Sequence, residues 1–288
     1  MALPVLDCLT TTFFSSSLRT TESVRRFSPV VVLLLSSAYL FCQVQAPSKA
    51  PQRDPLLLEV LTRVVNAAGG PKALTSVRDL TESGEITFHW TEEVKGPVVI
   101  RAIGANHFRM DADVPNGKRI FVVREGVGSE KNGDQKVRPL SSENALSMGG
   151  LTFPVGYVTA ALADSATRVA LLGIETRDSR SVYRVRLNGQ LGLVSNSKLG
   201  GPTVKELLID ALTFDIVSVE DLPFSAYANT RKLLERPSRT VEFGDFRSMY
   251  GIRIPFSISV SVLGQQAETI HLSEAVFNKN LSDDQFRQ

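Results

Sequence analysis

The stretch Ile254–Val262 constrains the fold of this chain more than any other. Ile254, Phe256, Ile258, Val260 and Val262 alternate with Pro255, Ser257, Ser259 and Ser261. A period of two is the mark of a β-strand, and here one face is apolar while the other is small and polar. The sheet that holds it is therefore expected to be covered on one side only. The same period runs through Ile86, Phe88 and Trp90, which alternate with Glu85, Thr87 and His89. Further strands are expected at Val98–Ile103, His107–Asp111 and Lys118–Arg124, then at about 168–175, 181–187, 204–210, 215–222, 238–247, 252–263 and 267–277. Gly104-Ala105-Asn106, Pro115-Asn116-Gly117 and Asn132-Gly133 supply tight-turn chemistry, and tight turns join only antiparallel neighbours. About ten to twelve strands in one sheet must curl, split or close. The expected class is α+β, mostly antiparallel β.

Two helical segments accompany the strands. Leu57, Leu58, Leu61, Val64, Val65 and Ala68 fall on one helical stripe, which Gly69-Gly70 stops before Pro71 opens a short second turn. Residues 141–166 interrupt the strands. There Leu151, Val155, Val158, Ala161 and Leu162 suit a helix whose start is broken by Gly149-Gly150 and Pro154. The glycine-rich stretch Asn188–Pro202 reads as a loop. No internal repeat is visible.

The N-terminal region points to export. Arg25-Arg26, an apolar run from Val30 to Phe41 and a small-x-small end at Val44 and Ala46 have the three parts of a secretory signal peptide. The run is shorter than the roughly 20 residues a spanning helix needs. Met1–Ser23 fits either a long n-region or a segment upstream of a start at Val24. Arg25-Arg26 matches a twin-arginine signal poorly. Cys42 raises a lipid-anchor alternative, but Leu40 and Phe41 before it fit lipidation badly. With cleavage after Ala46, residues 1–46 are a presequence, 47–55 a Pro-rich tether and 56–288 the folded domain. Its location would be periplasmic or secreted, where ATP and NAD are not at hand.

Both cysteines, Cys8 and Cys42, lie in the presequence, so the mature chain is expected to have neither disulfide nor thiol chemistry. The full chain carries 32 Lys plus Arg against 30 Asp plus Glu. Removing Arg19, Arg25, Arg26, Asp7 and Glu22 leaves 29 against 28, so no basic excess argues for nucleic acid.

Catalytic constellations do not assemble. His89, His107 and His271 fall on different strands without ligand spacing, and no metal or other cofactor is expected. No Gly-x-Ser-x-Gly elbow anchors a hydrolase. Gly126-Val127-Gly128-Ser129 lacks the Lys-Ser or Lys-Thr pair and helix of a phosphate loop, and reads as a hairpin. Asp111 and Asp113 share a strand face as a glycosidase pair might, but no second strand supplies a partner carboxylate, so they read as solvated edge charge. The expectation is a protein that is not an enzyme.

Asn66-Ala-Ala-Gly-Gly-Pro-Lys-Ala-Leu74, then Val77 and a strand containing Gly84, resembles the start of the outer-membrane lipoprotein carrier-like domains (the LolA/LolB/LppX type). The far end resembles them too, through Arg239, Phe243, Phe246-Arg247, Tyr250-Gly-Ile-Arg-Ile-Pro-Phe256, Thr269-Ile270 and Asn278. Leu208-Ile-Asp-Ala-Leu-Thr213 fits as a hairpin with Asp210 and Thr213 at its turn. The resemblance implies an incomplete, half-open β-barrel with capping helices over an apolar hollow that holds acyl chains. No cargo-contacting residue carries across by motif.

Phe88, Trp90, Phe108, Met110, Ile258, Val260, Ile270 and Leu272 fall on apolar strand faces. They would either fill a solid core or line such a hollow. A lined hollow implies a carrier or sensor for a lipid or an acylated lipoprotein, monomeric, with transient contacts to an envelope membrane or membrane protein. A solid core implies instead a protein-interaction module without a ligand.

Overall fold

The computed structural model describes residues 54–287 apart from 91, 105–106, 141–144, 146–147, 149, 165–166, 190–202 and 223–238. The expected signal segment, the alternative start at Val24, Cys42 and most of the tether lie outside the described residues, as does most of the loop Asn188–Pro202.

Helix α1, Pro55–Ala67, begins where the sequence supplies both start signals. Asp54 caps it by accepting a hydrogen bond from the Leu56 N–H, and proline fills its first position. Its stripe Leu57, Val60, Leu61, Val64 and Val65 is buried. Each such side chain is worth roughly 1.5–3 kcal/mol when removed from water. Gly69, at φ +120°, turns the chain into α2, Gly70–Thr75.

Two antiparallel meanders follow. The first consists of β1 (Asp79–Phe88), β2 (Val94–Ile103), β3 (His107–Val114), β4 (Gly117–Arg124), β5 (Val127–Asn132) and β6 (Arg138–Pro139). It winds outward to one sheet edge, where Pro139 suits an edge strand that lacks a further partner. The chain then runs through α3, Val155–Ala163, to the opposite edge. There the second meander begins: β7 (Arg168–Arg177), β8 (Arg180–Gly189), β9 (Thr203–Asp210), β10 (Ile216–Leu222), β11 (Arg239–Met249), β12 (Ile252–Val262) and β13 (Gln265–Phe277). It winds back until β13 pairs with β1. The result is one 13-stranded sheet, ordered β6-β5-β4-β3-β2-β1-β13-β12-β11-β10-β9-β8-β7, with no pairing between β6 and β7 to close it. This open barrel has more strands than the ten to twelve expected, because Val127–Asn132 and Arg138–Pro139 are also strands and Gly126 is only the turn that leads into the first of them.

Register puts the apolar residues in rows across one face. One row runs Gly96, Ile86, Ile270, Ile258, Phe243. The next runs Ala112, Val98, Gly84, Leu272, and the one after it Met110, Ile100, Glu82, Ala275. Residues of this face, of α1 and of α3 join in one buried cluster.

The other face carries charge and hydroxyls. Arg184 bonds Glu175, Glu206 and Glu220 there, across four neighbouring strands. Asp111 is not the solvated edge charge expected from sequence. It is 9% exposed and paired with Arg101 and Arg109, and Arg109 also donates to the Gln285 and Arg287 carbonyls of the C-terminal segment. Burial works against the Asp111 carboxylate, but its Arg109 hydrogen bond, helped by Lys118 and Arg101, keeps its pKa below the ordinary value.

Candidate functional site

The two ends of the half-barrel differ. At one end β1 starts and β13 finishes, and the turns β9–β10 and β11–β12 close over the helices. Arg253 grips Asp215 through two hydrogen bonds of 2.8 and 3.0 Å, while its backbone N–H donates to the Ala68 carbonyl at the end of α1. Asn278 accepts from the Arg78 N–H and donates to the Ser76 carbonyl. Asp79 accepts from the Lys279 and Asn280 N–H groups. Asp210 caps its turn by accepting from Leu212 and Thr213. The gap left between α1, Phe153–Val155 and the sheet here is about 20 Å³, roughly room for one water.

The other end is hollow. A cavity of about 480 Å³ opens where β1, β3 and β12 finish and β4, β11 and β13 start. Phe88, Phe121, Val260 and Val262 form its sheet wall, with Leu140 and Met148 from the chain between β6 and α3. Trp90, just past the end of β1, stands at the mouth and is 60% exposed.

Polar groups enter the same wall. Arg119, Glu130, Arg239 and Glu268 all line the hollow. Arg119 lies over the Phe88 ring at 4.3 Å, a cation–π contact. Arg239 sits 3.8 Å from Asp221, whose other oxygen holds the buried Lys205. Enclosure raises the pKa of the Glu268 carboxyl against the pull of Arg239 and Arg119.

Of the eight apolar candidates, the structure brings Phe88, Trp90 and Val260 together around the hollow. Phe108, Met110, Ile258, Ile270 and Leu272 lie within the buried core and do not line that cavity. Sequence reasoning missed Arg119, Glu130, Arg239 and Glu268. The available signal was phase: Arg119 falls in register with Phe121 and Val123, and Glu268 with Ile270 and Leu272.

Among the described residues no three His, Cys, Asp or Glu side chains converge as metal ligands. His107 packs edge-on to Phe286, and His89 meets Thr269. No described helix is long and apolar enough to cross a membrane.

With this geometry in view, solved structures supply the comparison. A LolA superfamily protein from Nitrosomonas europaea superposes with a TM-score of 0.50 at 12% identity, covering 80% of this chain and 97% of that one. A DUF1329 family protein from Desulfovibrio piger gives 0.50 at 13% identity, covering 82% and 98%. The fold is that of a lipoprotein carrier-like domain. No protein-family model matches the sequence, and no curated protein does. At such identities the likeness to this carrier-like fold is one of backbone path, and no residue role comes with it.

Proposed function

We propose that this chain is an exported, non-enzymatic binding protein that holds a lipid or a lipoprotein acyl chain in the hollow end of its half-barrel, as a carrier or sensor at the cell envelope. The observation that carries this reading is the 480 Å³ hollow, whose wall joins aromatic and aliphatic side chains to polar and charged ones. Its size falls within the roughly 300–1,000 Å³ of small-molecule sites, and its mixed wall suits a ligand with both an apolar and a polar part. The carrier-like fold of the two solved structures supports the same kind of ligand. Affinity would come from burial, at about 0.8 kcal/mol per methylene removed from water, which favours long chains. Export would follow from the presequence 1–46, with 47–55 as tether and 56–288 as the working domain, periplasmic or secreted and monomeric.

The test is native mass spectrometry of the full chain, expressed with its own N-terminal segment and recovered from the periplasm, followed by solvent extraction. The expected result is a mass excess that extracts as lipid or fatty acid. A ligand-free mass together with no uptake of a fluorescent fatty acid would replace this reading by a protein-interaction module.

A further inference from the structure

We propose that the ligand of the hollow is an anionic amphiphile, whose carboxylate or phosphate head is held by Arg119 and Arg239 while its chain lies along Phe88, Phe121 and Val260. This inference rests on the lipid-binding reading and narrows it.

The argument starts from where the cations stand. On β4 the apolar phase runs Arg119, Phe121, Val123, and on β11 it runs Arg239, Val241, Phe243. A guanidinium in the apolar phase of a half-covered sheet gives up hydration that it would keep on the other face. Folding alone gains little from it there. Among the described residues no side-chain hydrogen bond or ion pair engages the Arg119 guanidinium, which is stacked on Phe88. Arg239 comes from the opposite side of the hollow, three strands beyond β1 in the sheet order. The two therefore flank the row Phe88, Glu268, Val260 that forms the floor between them. A guanidinium offers five N–H donors in a fixed fork that matches carboxylate and phosphate oxygens.

Glu268 marks the position such a head would take. It is the acid on the floor row, and it feels both Arg239 and Arg119. Burial disfavours the charged form of Glu268. Glu130, opposite Phe121 on β5, also lines the hollow. The aromatic wall then fixes the polarity of the ligand: head at the arginines, chain against the rings.

The decisive experiment measures binding of oleate, oleyl alcohol and inorganic phosphate to the full chain by calorimetry, with the variants Arg119→Gln, Arg239→Gln and Glu268→Gln. Oleate is expected to bind at least about tenfold more tightly than oleyl alcohol, the worth of one charge-assisted hydrogen bond. Each arginine variant should erase most of that preference, so that oleate and oleyl alcohol bind the variant about equally. Glu268→Gln, which removes the competing acid and deletes no cation, should strengthen oleate binding; it keeps the test open if an arginine variant fails to fold. Equal affinity for oleate and the alcohol would overturn the head-group assignment while leaving lipid binding standing. Binding of neither chain by the folded protein would remove both readings. Phosphate binding as tightly as oleate would overturn the amphiphile and make the occupant a free oxyanion.

Discussion

The closed and hollow ends of the half-barrel are built from the same thirteen strands, yet they solve opposite problems. At the closed end, backbone and side-chain hydrogen bonds from Arg253, Asn278 and Asp79 tie α1, α2 and two strand ends together, with a gap of about 20 Å³ between α1 and the sheet. At the hollow end about 480 Å³ is left, and charged side chains stand in the apolar phase. Stability is concentrated where the helices cap the sheet, so the other end is free to hold its charges for something else. A protein can tolerate buried polar groups at one place when its remaining levels of structure agree elsewhere.

That contrast predicts where substitution unfolds the protein. Ile258 is fully buried in the central row, between Ile270 and Phe243. Ile258→Asp puts an unpaired charge there, and about 4–5 kcal/mol or more would be lost from a margin of roughly 5–15. Circular dichroism and soluble yield should show little folded protein. A folded Ile258→Asp variant with a near-normal melting temperature would mean that the row is not packed.

The next effect tests the closed end itself. A Cβ added at Gly69 would stand 2.3 Å from the Gly251 carbonyl oxygen, and the backbone there has φ +120°. Neither the clash nor the conformation can be relieved by moving a flexible side chain. Gly69→Ala should cost about 2–3 kcal/mol and lower the melting temperature by about 5–10 °C for a domain of this size. Oleate affinity of the folded fraction should stay unchanged, because the altered turn lies at the opposite end from the hollow. A loss of affinity equal to the loss of stability would dissolve the distinction between the ends.

Glu82 supplies a pH test of the same core. It is fully buried in the row Met110, Ile100, Glu82, Ala275, and burial raises its carboxyl to about 8, Thr152 pulling weakly the other way. The folded pKa lies above the unfolded value of 4.5. Below 4.5 both states hold the proton, and above 8 neither does. Between them only the folded state keeps it, so stability falls as pH rises through that window. Glu82→Gln should flatten this slope and stabilise the protein at pH 8, by about 4 kcal/mol. Denaturant unfolding at pH 5 and pH 8 reads it directly; an unchanged slope in the variant would assign the pH dependence to other groups.

The strand pattern was legible because alternation is a local signal, and Ile254–Val262 shows it without interruption. The helix α1 was legible through its stripe and its stop at Gly69-Gly70. What stayed hidden is instructive. Val127–Asn132 was missed as a strand because Glu130 and Asn132 occupy the positions where apolar residues would have declared it, and these are residues that line the hollow. The eight apolar candidates were placed on apolar faces, but period two reports only which face a residue is on. It says nothing of depth along the strand, and depth separates Phe88 and Val260 at the hollow from Met110 and Ile258 in the packed core. The likeness of the closed end to the carrier-like domains was visible through Tyr250–Phe256 and Asn278, which are the residues that clasp that end together. Toward the hollow end the resemblance ran through Arg239, which lines the cavity, without marking it as a site residue.

The smallest expected change in stability belongs to Trp90, and it bears most directly on the hollow. Trp90 is 60% exposed, lies beyond the last residue of β1 and lines the mouth of the cavity. An exposed indole at a mouth adds little to folding, so Trp90→Ala should leave stability within about 0.5 kcal/mol. A large ring that covers a bound chain contributes far more to binding, and the same change should weaken oleate about 5- to 20-fold. Leu263 is the matched control. It is 68% exposed in the neighbouring β12–β13 turn, but it is not part of the cavity wall. Leu263→Ala should therefore alter neither stability nor affinity. Equal losses of oleate affinity in both variants would point to general surface hydrophobicity around the mouth. A loss confined to Trp90 would locate the chain inside the hollow, with the indole at its entrance.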